Sequence, residues 1–283
     1  MAKEAFGIDI GGSGIKGAPV NLKKGELAAK RVRIPTPQPA TPEAVAKTVK
    51  DLIDSFDVPA DMPVGVTFPA IIQHGVAQSA ANVDDSWIGV NVDELLTEAT
   101  GHSVFVVNDA DAAGIAEMEF GTGKDKSGLV IMTTLGTGIG SAMFIDGKLI
   151  PNSELGHLNY EGESIEKFAA SSVFEKLGIS YEEWAKERLQ VFYSHVEFLF
   201  SPDLFIVGGG VSKDSKKFLH FLDLNTEIVP AKLRNEAGII GAAALAHAER
   251  KLEVKKDKGE KKAKKDKKNV SAADLAAESV EEA

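Results

Sequence analysis

Two adjacent residues, Asn108 and Asp109, carry the most informative chemistry in the chain. They follow the apolar run at 103–107 and precede a stretch of helical character that Gly121 stops. That puts them at the carboxyl end of a predicted strand, where open α/β sheets bind their ligands. A carboxylate at a cleft mouth can take the proton of a hydroxyl as it attacks phosphorus. Phosphoryl transfer asks mainly for positioning, charge neutralisation and one oriented base. The alternative is local, because either residue can cap the following helix; the pair can also divide the two roles. Asp9 likewise ends an alternating apolar strand, just before a glycine turn. A carboxylate there suits magnesium, directly or through water, or else caps its own turn. Glu154-Leu155-Gly156-His157 sets an acceptor and a donor/acceptor three residues apart, as a vicinal diol requires. A bare Glu-x-x-His equally describes a surface helix turn, and with no cysteine in the chain it is not a thiolate zinc site.

The elements that must position these groups include one that occurs twice. Residues 6–27 and 129–149 each read as an apolar run, a glycine turn, a second apolar run and a hairpin turn. The first turn is Gly12-Ser13-Gly14-Ile15 and the second Gly136-Thr137-Gly138-Ile139. Glycine turns with a hydroxyl expose backbone N–H groups that can cradle phosphate oxygens, although glycine also serves turn geometry alone. Two cradles suggest two lobes gripping one phosphorylated ligand. Residues 12–17 match the dinucleotide pattern G-x-G-x-x-G, but that pattern needs a helix to open from its glycines. Here Ala18-Pro19-Val20 continues as strand, so the match is rejected, and no stretch supplies a P-loop.

The chain has 283 residues, 43% of them hydrophobic, enough for one large or two medium domains with real cores. Lack of cysteine is compatible with a cytoplasmic location. No apolar run reaches membrane-spanning length, and the N-terminus enters a strand almost at once, so neither a membrane nor a signal peptide is expected. The formal charge of −10 is uneven. Residues 251–268 hold ten lysines against four acids, residues 269–283 hold four acids and no base, and the first 250 residues sit at −12. An acidic body argues against nucleic acid as a partner.

Thr41-Pro42-Glu43 opens a predicted helix with a hydroxyl cap, an N-terminal proline and an acid near the dipole. Its apolar face is Val45, Val49, Leu52, Ile53 and Phe56. Ser180-Tyr181-Glu182-Glu183 is a capping box for a long helix through Trp184, Leu189, Phe192, Val196 and Leu199. Residues 204–207 read as a strand running into Gly208-Gly209-Gly210, 213–222 as a helix, and 235–250 as a Gly/Ala-rich helix able to pack closely. Strands and helices alternate in two similar halves, which predicts α/β architecture with two lobes and a cleft. The lobes fall at 1–107 and 108–234, with 235–250 packing back on the first, and 251–283 reads as a disordered charged tail.

The residues resemble the ROK sugar kinases, of the actin-like, ribonuclease-H-like fold, and among them the glucokinases that draw on inorganic polyphosphate. The resemblance spans residues 5–250. It rests on GIDIGGSGIKG at 7–17, on Ala81-Asn82-Val83 with Ser86-Trp87-Ile88-Gly89, and on NDADAAG at 108–114. It continues in LGTGIG at 135–140, ELGHL at 154–158 and FIVGGGVSK at 205–213.

The resemblance implies a role for each matched residue. Asp109 would be the general base toward the glucose 6-hydroxyl. Asn82, Asn108, Glu154, His157 and Glu166 would hold the sugar hydroxyls. Gly11, Gly12, Ser13, Gly14 and Lys16 would face the transferred phosphoryl group, and Gly136, Thr137 and Gly138 the phosphates behind it. Gly208, Gly209 and Gly210 would lie by the adenosine of ATP, and Asp9 would organise Mg²⁺. A cysteine-rich zinc loop of many family members is replaced here by residues 159–164, so no zinc is expected. Only five residues precede the first strand, which leaves no room for the DNA-binding domain of the family's repressors.

The expectation is therefore a cytoplasmic enzyme, a homodimer by resemblance, that phosphorylates glucose from polyphosphate, ATP or both. One rival is an ATP-only kinase for mannose, glucosamine or N-acetylmannosamine, and another a non-enzymatic sugar-binding regulator. The lysine-rich tail can attract a long polyanion or merely solubilise the chain.

Overall fold

The computed structural model describes residues 4–80 and 83–256. Asn82 and the tail beyond residue 256 lie outside the described residues.

The first lobe starts with β1 (Glu4–Gly11) and β2 (Gly14–Asn21), an antiparallel hairpin closed at Gly11–Gly14, followed by β3 (Glu26–Leu27) and β4 (Val32–Ile34). Helix α1 (Pro42–Asp54) begins where its sequence signals put it, with the Thr41 side chain accepting from the Ala44 N–H, and it buries Val45, Ala46, Val49, Leu52 and Ile53. Strand β5 (Val64–Phe68), the short pair β6 (Ile72–Gln73) and β7 (Val76–Ala77), helix α2 (Val92–Thr100) and strand β8 (Val104–Asn108) complete it. The sheet order is β3-β2-β1-β5-β8, with β4 also on β2.

After α3 (Asp109–Phe120) the pattern repeats. Strands β9 (Leu129–Leu135) and β10 (Ile139–Ile145) form the second hairpin, and β11 (Lys148–Ile150) follows. The short pair β12 (Asn159–Tyr160) and β13 (Glu163–Ser164) leads to α4 (Glu166–Ala169) and α5 (Ser171–Leu177). A continuous helical run then passes from α6 (Tyr181–Trp184) through a π-turn (Ala185–Leu189) into α7 (Gln190–Phe200). Strands β14 (Leu204–Gly208) and β15 (Glu227–Pro230) end the second sheet, whose order is β11-β10-β9-β14-β15. In each sheet an antiparallel hairpin is extended by two parallel strands. This is the two-lobed arrangement expected from the repeated glycine turn.

Three cores result. Phe6, Ile8, Ile10 and Trp87 pack with α1 and α2 on one outer face. Trp184, Leu189, Phe192, Tyr193 and Val196 pack on the other. Between the sheets lie α3 and a last helix, α8, at residues 237–256, joined through small side chains such as Ala112, Ala113, Ala116, Ala242 and Ala243. Backbone contact is close there. A Cβ at Gly65 would overlap the Ala242 carbonyl, and one at Gly241 would overlap that of Ala112. Glycine permits an approach that no other residue allows, so the cleft between the lobes rests on a narrow, well-packed seam.

Some elements differ from the sequence expectation. Helix α8 runs to residue 256 instead of ending at 250. Residues 251–256 are exposed yet helical, and Arg250 pairs with Glu253 (3.1 Å) across the turn where the tail was expected to begin. Intrinsic propensity and spaced ion pairs extend the helix without a core. Residues 213–222 form 3₁₀ turns (Gly210–Lys217 and Leu219–Phe221) in place of an α-helix. The Ser212 hydroxyl donates to the Gly209 carbonyl (2.8 Å), a local bond that competes with helical pairing. Leu199, on the same helix as the buried Phe192 and Val196, is 49% exposed. Among the described residues no helix is long and apolar enough to cross a membrane.

Candidate active site

Two cavities meet at Asp109. The first, of about 480 Å³, is lined by Asn108, Asp109, Glu154, His157 and Glu166 together with Gly136, Thr137 and Gly138. The second, of about 390 Å³, is lined by Asp9, Lys16, Asp109, Gly208 and Gly209, with Arg31 and Arg234. Asp109, Thr134 and Gly209 belong to both.

Strand β8 ends at Asn108, and α3 starts at Asp109, so the helix cap decides which way the carboxylate faces. Asn108 is that cap: its Oδ1 accepts from the N–H groups of Ala110 (2.8 Å) and Asp111 (3.3 Å). Its Nδ2 donates to the Ala70 carbonyl (3.1 Å), which leaves one amide hydrogen for a ligand. Asp109 is thereby released from capping duty. One of its oxygens accepts from the Ala110 N–H (2.9 Å), and among the described residues no other residue's side chain bonds the carboxylate. Its side chain is water-accessible in the cleft, yet the walls crowd it. Desolvation by those walls pushes its pKa up; the negative charge of Asp9 adds to this, and the Ala110 N–H opposes it.

Asp9 leaves β1 opposite Lys16 on β2. One carboxylate oxygen meets the Lys16 ammonium (3.2 Å) and the other accepts from the Thr67 hydroxyl (2.9 Å). Lys16 and Asp9 are both part-exposed to the second cavity, so the pair is a weak bridge that a phosphate could reorganise. Among the described residues no three carboxylate or imidazole groups converge on a metal. One carboxylate at a phosphate-sized cavity is nonetheless how magnesium is held when it arrives on a donor's phosphates and keeps several waters. The residues fit magnesium in that form, and a protein-built cage does not.

The cluster of Glu154, His157 and Glu166 is compact. His157 Nε2 lies 3.9 Å from Glu154, its Nδ1 lies 3.9 Å from Glu166, and Nδ1 is also 3.3 Å from the Ser164 hydroxyl. Burial raises the Glu154 pKa; His157 lowers it, and Asp109 and Glu166 raise it. Glu166 ties the second glycine turn to this cluster, since its Oε2 accepts from the Ile139 N–H (3.0 Å). A Cβ at Gly138 would overlap that same oxygen.

The expected glycine positions line the two cavities unequally. Gly136, Thr137 and Gly138 line the first cavity, where Glu166 accepts from the Ile139 N–H of the same turn. Gly11, Gly12, Ser13 and Gly14 line neither cavity. The β4 region holds that turn, with Thr36 donating to the Gly11 carbonyl (2.5 Å) and Arg33 to the Ser13 carbonyl (2.5 Å). Gly208 and Gly209 line the second cavity, and Gly210 does not.

Other residues escaped the sequence reading. Thr67 was legible as the one polar side chain near the end of a buried strand. Asp111 is 1% exposed, and its Oδ2 accepts from the Asn152 N–H (2.8 Å). The Asn152 side chain in turn bonds both the N–H (3.1 Å) and the carbonyl (2.8 Å) of Ile72. Burial, with the charges of Glu154 and Asp109, pushes Asp111 up to about 7 against the Asn152 N–H. This chain of bonds pins the loop that carries Glu154 to the first lobe. Arg31 and Arg234 had no signal, because their cavity forms only when distant segments meet.

Known proteins share this arrangement. A model described as the ROK family matches residues 5–169. The polyphosphate glucokinase of Mycobacterium tuberculosis (strain ATCC 25618 / H37Rv) is 49% identical over 248 residues, covering 87% of this chain and 92% of its own. The crystal structure of an inorganic polyphosphate/ATP-glucomannokinase from Arthrobacter sp. strain KM has a TM-score of 0.82 at 55% identity, over 87% of this chain and 99% of that one. A ROK family glucokinase from Streptomyces griseus, in complex with glucose and AMPPNP, shares the fold at a TM-score of 0.73 and 24% identity, over 87% of this chain and 99% of that one. The matched region covers more than half of the sequence, and near-half identity extends over most of a relative's length, so the chain belongs to the ROK family.

Proposed function

We propose that the protein phosphorylates glucose at its 6-hydroxyl, taking the terminal phosphoryl group of inorganic polyphosphate or ATP. One observation carries this reading: Asp109 stands where a cavity of sugar-type hydrogen-bonding groups meets a cavity of phosphate-type groups. The donor classes come from the relatives, which are a polyphosphate glucokinase and a polyphosphate/ATP-glucomannokinase.

Glucose occupies the first cavity, with its ring hydroxyls on Glu154, His157 and Glu166 and the remaining amide hydrogen of Asn108. The 6-hydroxyl points to Asp109. Its oxygen attacks the terminal phosphorus, the P–O–P bond to the rest of the donor breaks, and the proton passes to the free carboxylate oxygen of Asp109. The leaving group is polyphosphate one unit shorter, or ADP. Lys16, once released from Asp9, compensates charge on the moving phosphoryl group. Magnesium, when bound with the donor, neutralises its phosphates, and Asp9 is the carboxylate positioned to meet it. The raised pKa of Asp109 suits a base that must hold a proton during the transfer and return it afterwards.

The test is direct. Purified protein is given Mg²⁺ and glucose or mannose, with ATP or long-chain polyphosphate in parallel, and sugar 6-phosphate is measured. The reading predicts glucose 6-phosphate from polyphosphate. Product from ATP alone would reduce the protein to an ATP-dependent hexokinase. Glucose binding without product from either donor would leave a sugar-binding protein.

A further inference from the structure

The second cavity contains more positive charge than transfer of one phosphoryl group requires. The chain has five arginines. Arg188 donates to the Phe168 carbonyl and Arg250 pairs with Glu253. The other three are Arg31, Arg33 and Arg234. Arg33 is committed to the Ser13 carbonyl of the first glycine turn. Arg31 and Arg234 line the cavity itself.

These two differ from Lys16 in one respect. Lys16 is neutralised by Asp9. Among the described residues no carboxylate pairs with Arg31 or Arg234. Arg31 Nη1 donates to the Asn235 carbonyl (3.2 Å), which orients the guanidinium and leaves its other N–H groups available. Arg234 sits at φ +50°, the left-handed region that a residue with a Cβ seldom adopts. Its turn is pinned by the buried Glu117 of α3, which accepts from the Leu233 N–H (2.6 Å). Such backbone strain persists where the surroundings fix it, and it concentrates at ligand sites. Two unpaired guanidinium groups, held from different parts of the chain, thus face one cavity on a body of net charge −12. Guanidinium is the side chain best matched to phosphate oxygens.

We infer that Arg31 and Arg234 are donor-specificity residues: they hold the phosphates behind the one being transferred and so favour an inorganic polyphosphate chain over a nucleoside triphosphate. The inference rests on the kinase reading above. A polyphosphate chain presents charge along its whole length, whereas ATP ends in an uncharged nucleoside. Unpaired charge at this wall therefore rewards the first donor more than the second.

The experiment measures KM and kcat for long-chain polyphosphate and for ATP, at saturating glucose and Mg²⁺, in wild type, Arg31→Gln, Arg234→Gln and the double variant. The double variant is expected to raise the polyphosphate KM tenfold or more, and to raise it at least five times more than the ATP KM. The steep rise of the polyphosphate KM with salt should flatten. Arg31→Lys, which keeps the charge, should recover most of the loss, and unchanged glucose affinity by calorimetry would show that the variants fold. Equal effects on both donors, or no effect on either, would overturn the inference while leaving the kinase reading intact. A wild type that forms glucose 6-phosphate from ATP but none from polyphosphate would overturn the inference alone, and one that forms none from either donor would overturn the kinase reading as well.

Discussion

The two glycine turns occupy equivalent places in two sheets of the same strand order, and they are braced by different side chains. The first closes β1 and β2 beside a charged pair, Asp9 and Lys16, and it is clamped by Arg33 of β4 and by Thr36 just after that strand. The second closes β9 and β10, whose strand ends carry the neutral Thr133 and Thr134. Its Ile139 N–H is held by Glu166, a member of the sugar-side cluster. One duplicated element thus borders the Asp9–Lys16 pair in one lobe and the Glu154–His157–Glu166 cluster in the other. What differs is not the turn but the side chains that brace it from outside the repeat. Asp109 belongs to neither hairpin and stands where the two cavities join.

That division can be broken at graded cost. Asp109→Asn should lower kcat by about 10³-fold, within the range for a lost general base. Glucose affinity by calorimetry should barely move, and near-wild-type turnover would remove Asp109 from the mechanism. Asp9→Asn should lower kcat by about 10²-fold with both donors, a lost charge contact at the transferring phosphoryl group. A comparable loss of glucose affinity in that variant would mean that the two sides are not separate. Glu166→Gln weakens the brace on the second turn. The loss of a charged acceptor, about 1.5 kcal/mol, should raise the glucose KM about tenfold and leave the donor KM nearly unmoved; the reverse pattern would assign the second turn to the donor.

A separate effect concerns stability and not turnover. Folded Asp111 keeps its proton to about pH 7, while in the unfolded chain it releases it near the ordinary carboxylate value of 3.8. Between those values the folded chain holds a proton that the unfolded chain has lost, so stability falls as pH rises through that window and levels off above it. The total is at most about 4 kcal/mol. Thermal melts from pH 4 to pH 8 should show this decline in wild type and a flatter curve in Asp111→Asn. Parallel curves would mean that Asp111 is ionised throughout.

Much of this was legible before any coordinates. The hairpins announced themselves by β-branched runs around Gly-hydroxyl-Gly turns, and Thr41-Pro42 and Ser180 capped the helices they were expected to cap. The Asn108-Asp109 pair left two roles open, and the structure divides them: Asn108 caps and Asp109 faces the cleft. What stayed hidden depends on tertiary closure. Glu166 had only a loose local match, and its place comes from a bond to Ile139, 27 residues away in sequence. Arg234 and Arg31 meet one cavity only because α8 folds back against the first sheet at Gly65. The helix extension to residue 256 is not visible in a lysine-rich composition, because it depends on α8 being nucleated by its packed half.

The central claim is that Asp109 receives the 6-hydroxyl proton of a sugar bound in the first cavity. A crystal structure of the glucose complex tests it most directly. The predicted result is glucose among Glu154, His157 and Glu166, with its 6-hydroxyl oxygen about 2.6–3.2 Å from an Asp109 carboxylate oxygen. Glucose in the second cavity, or in the first with another hydroxyl toward Asp109, would contradict the account.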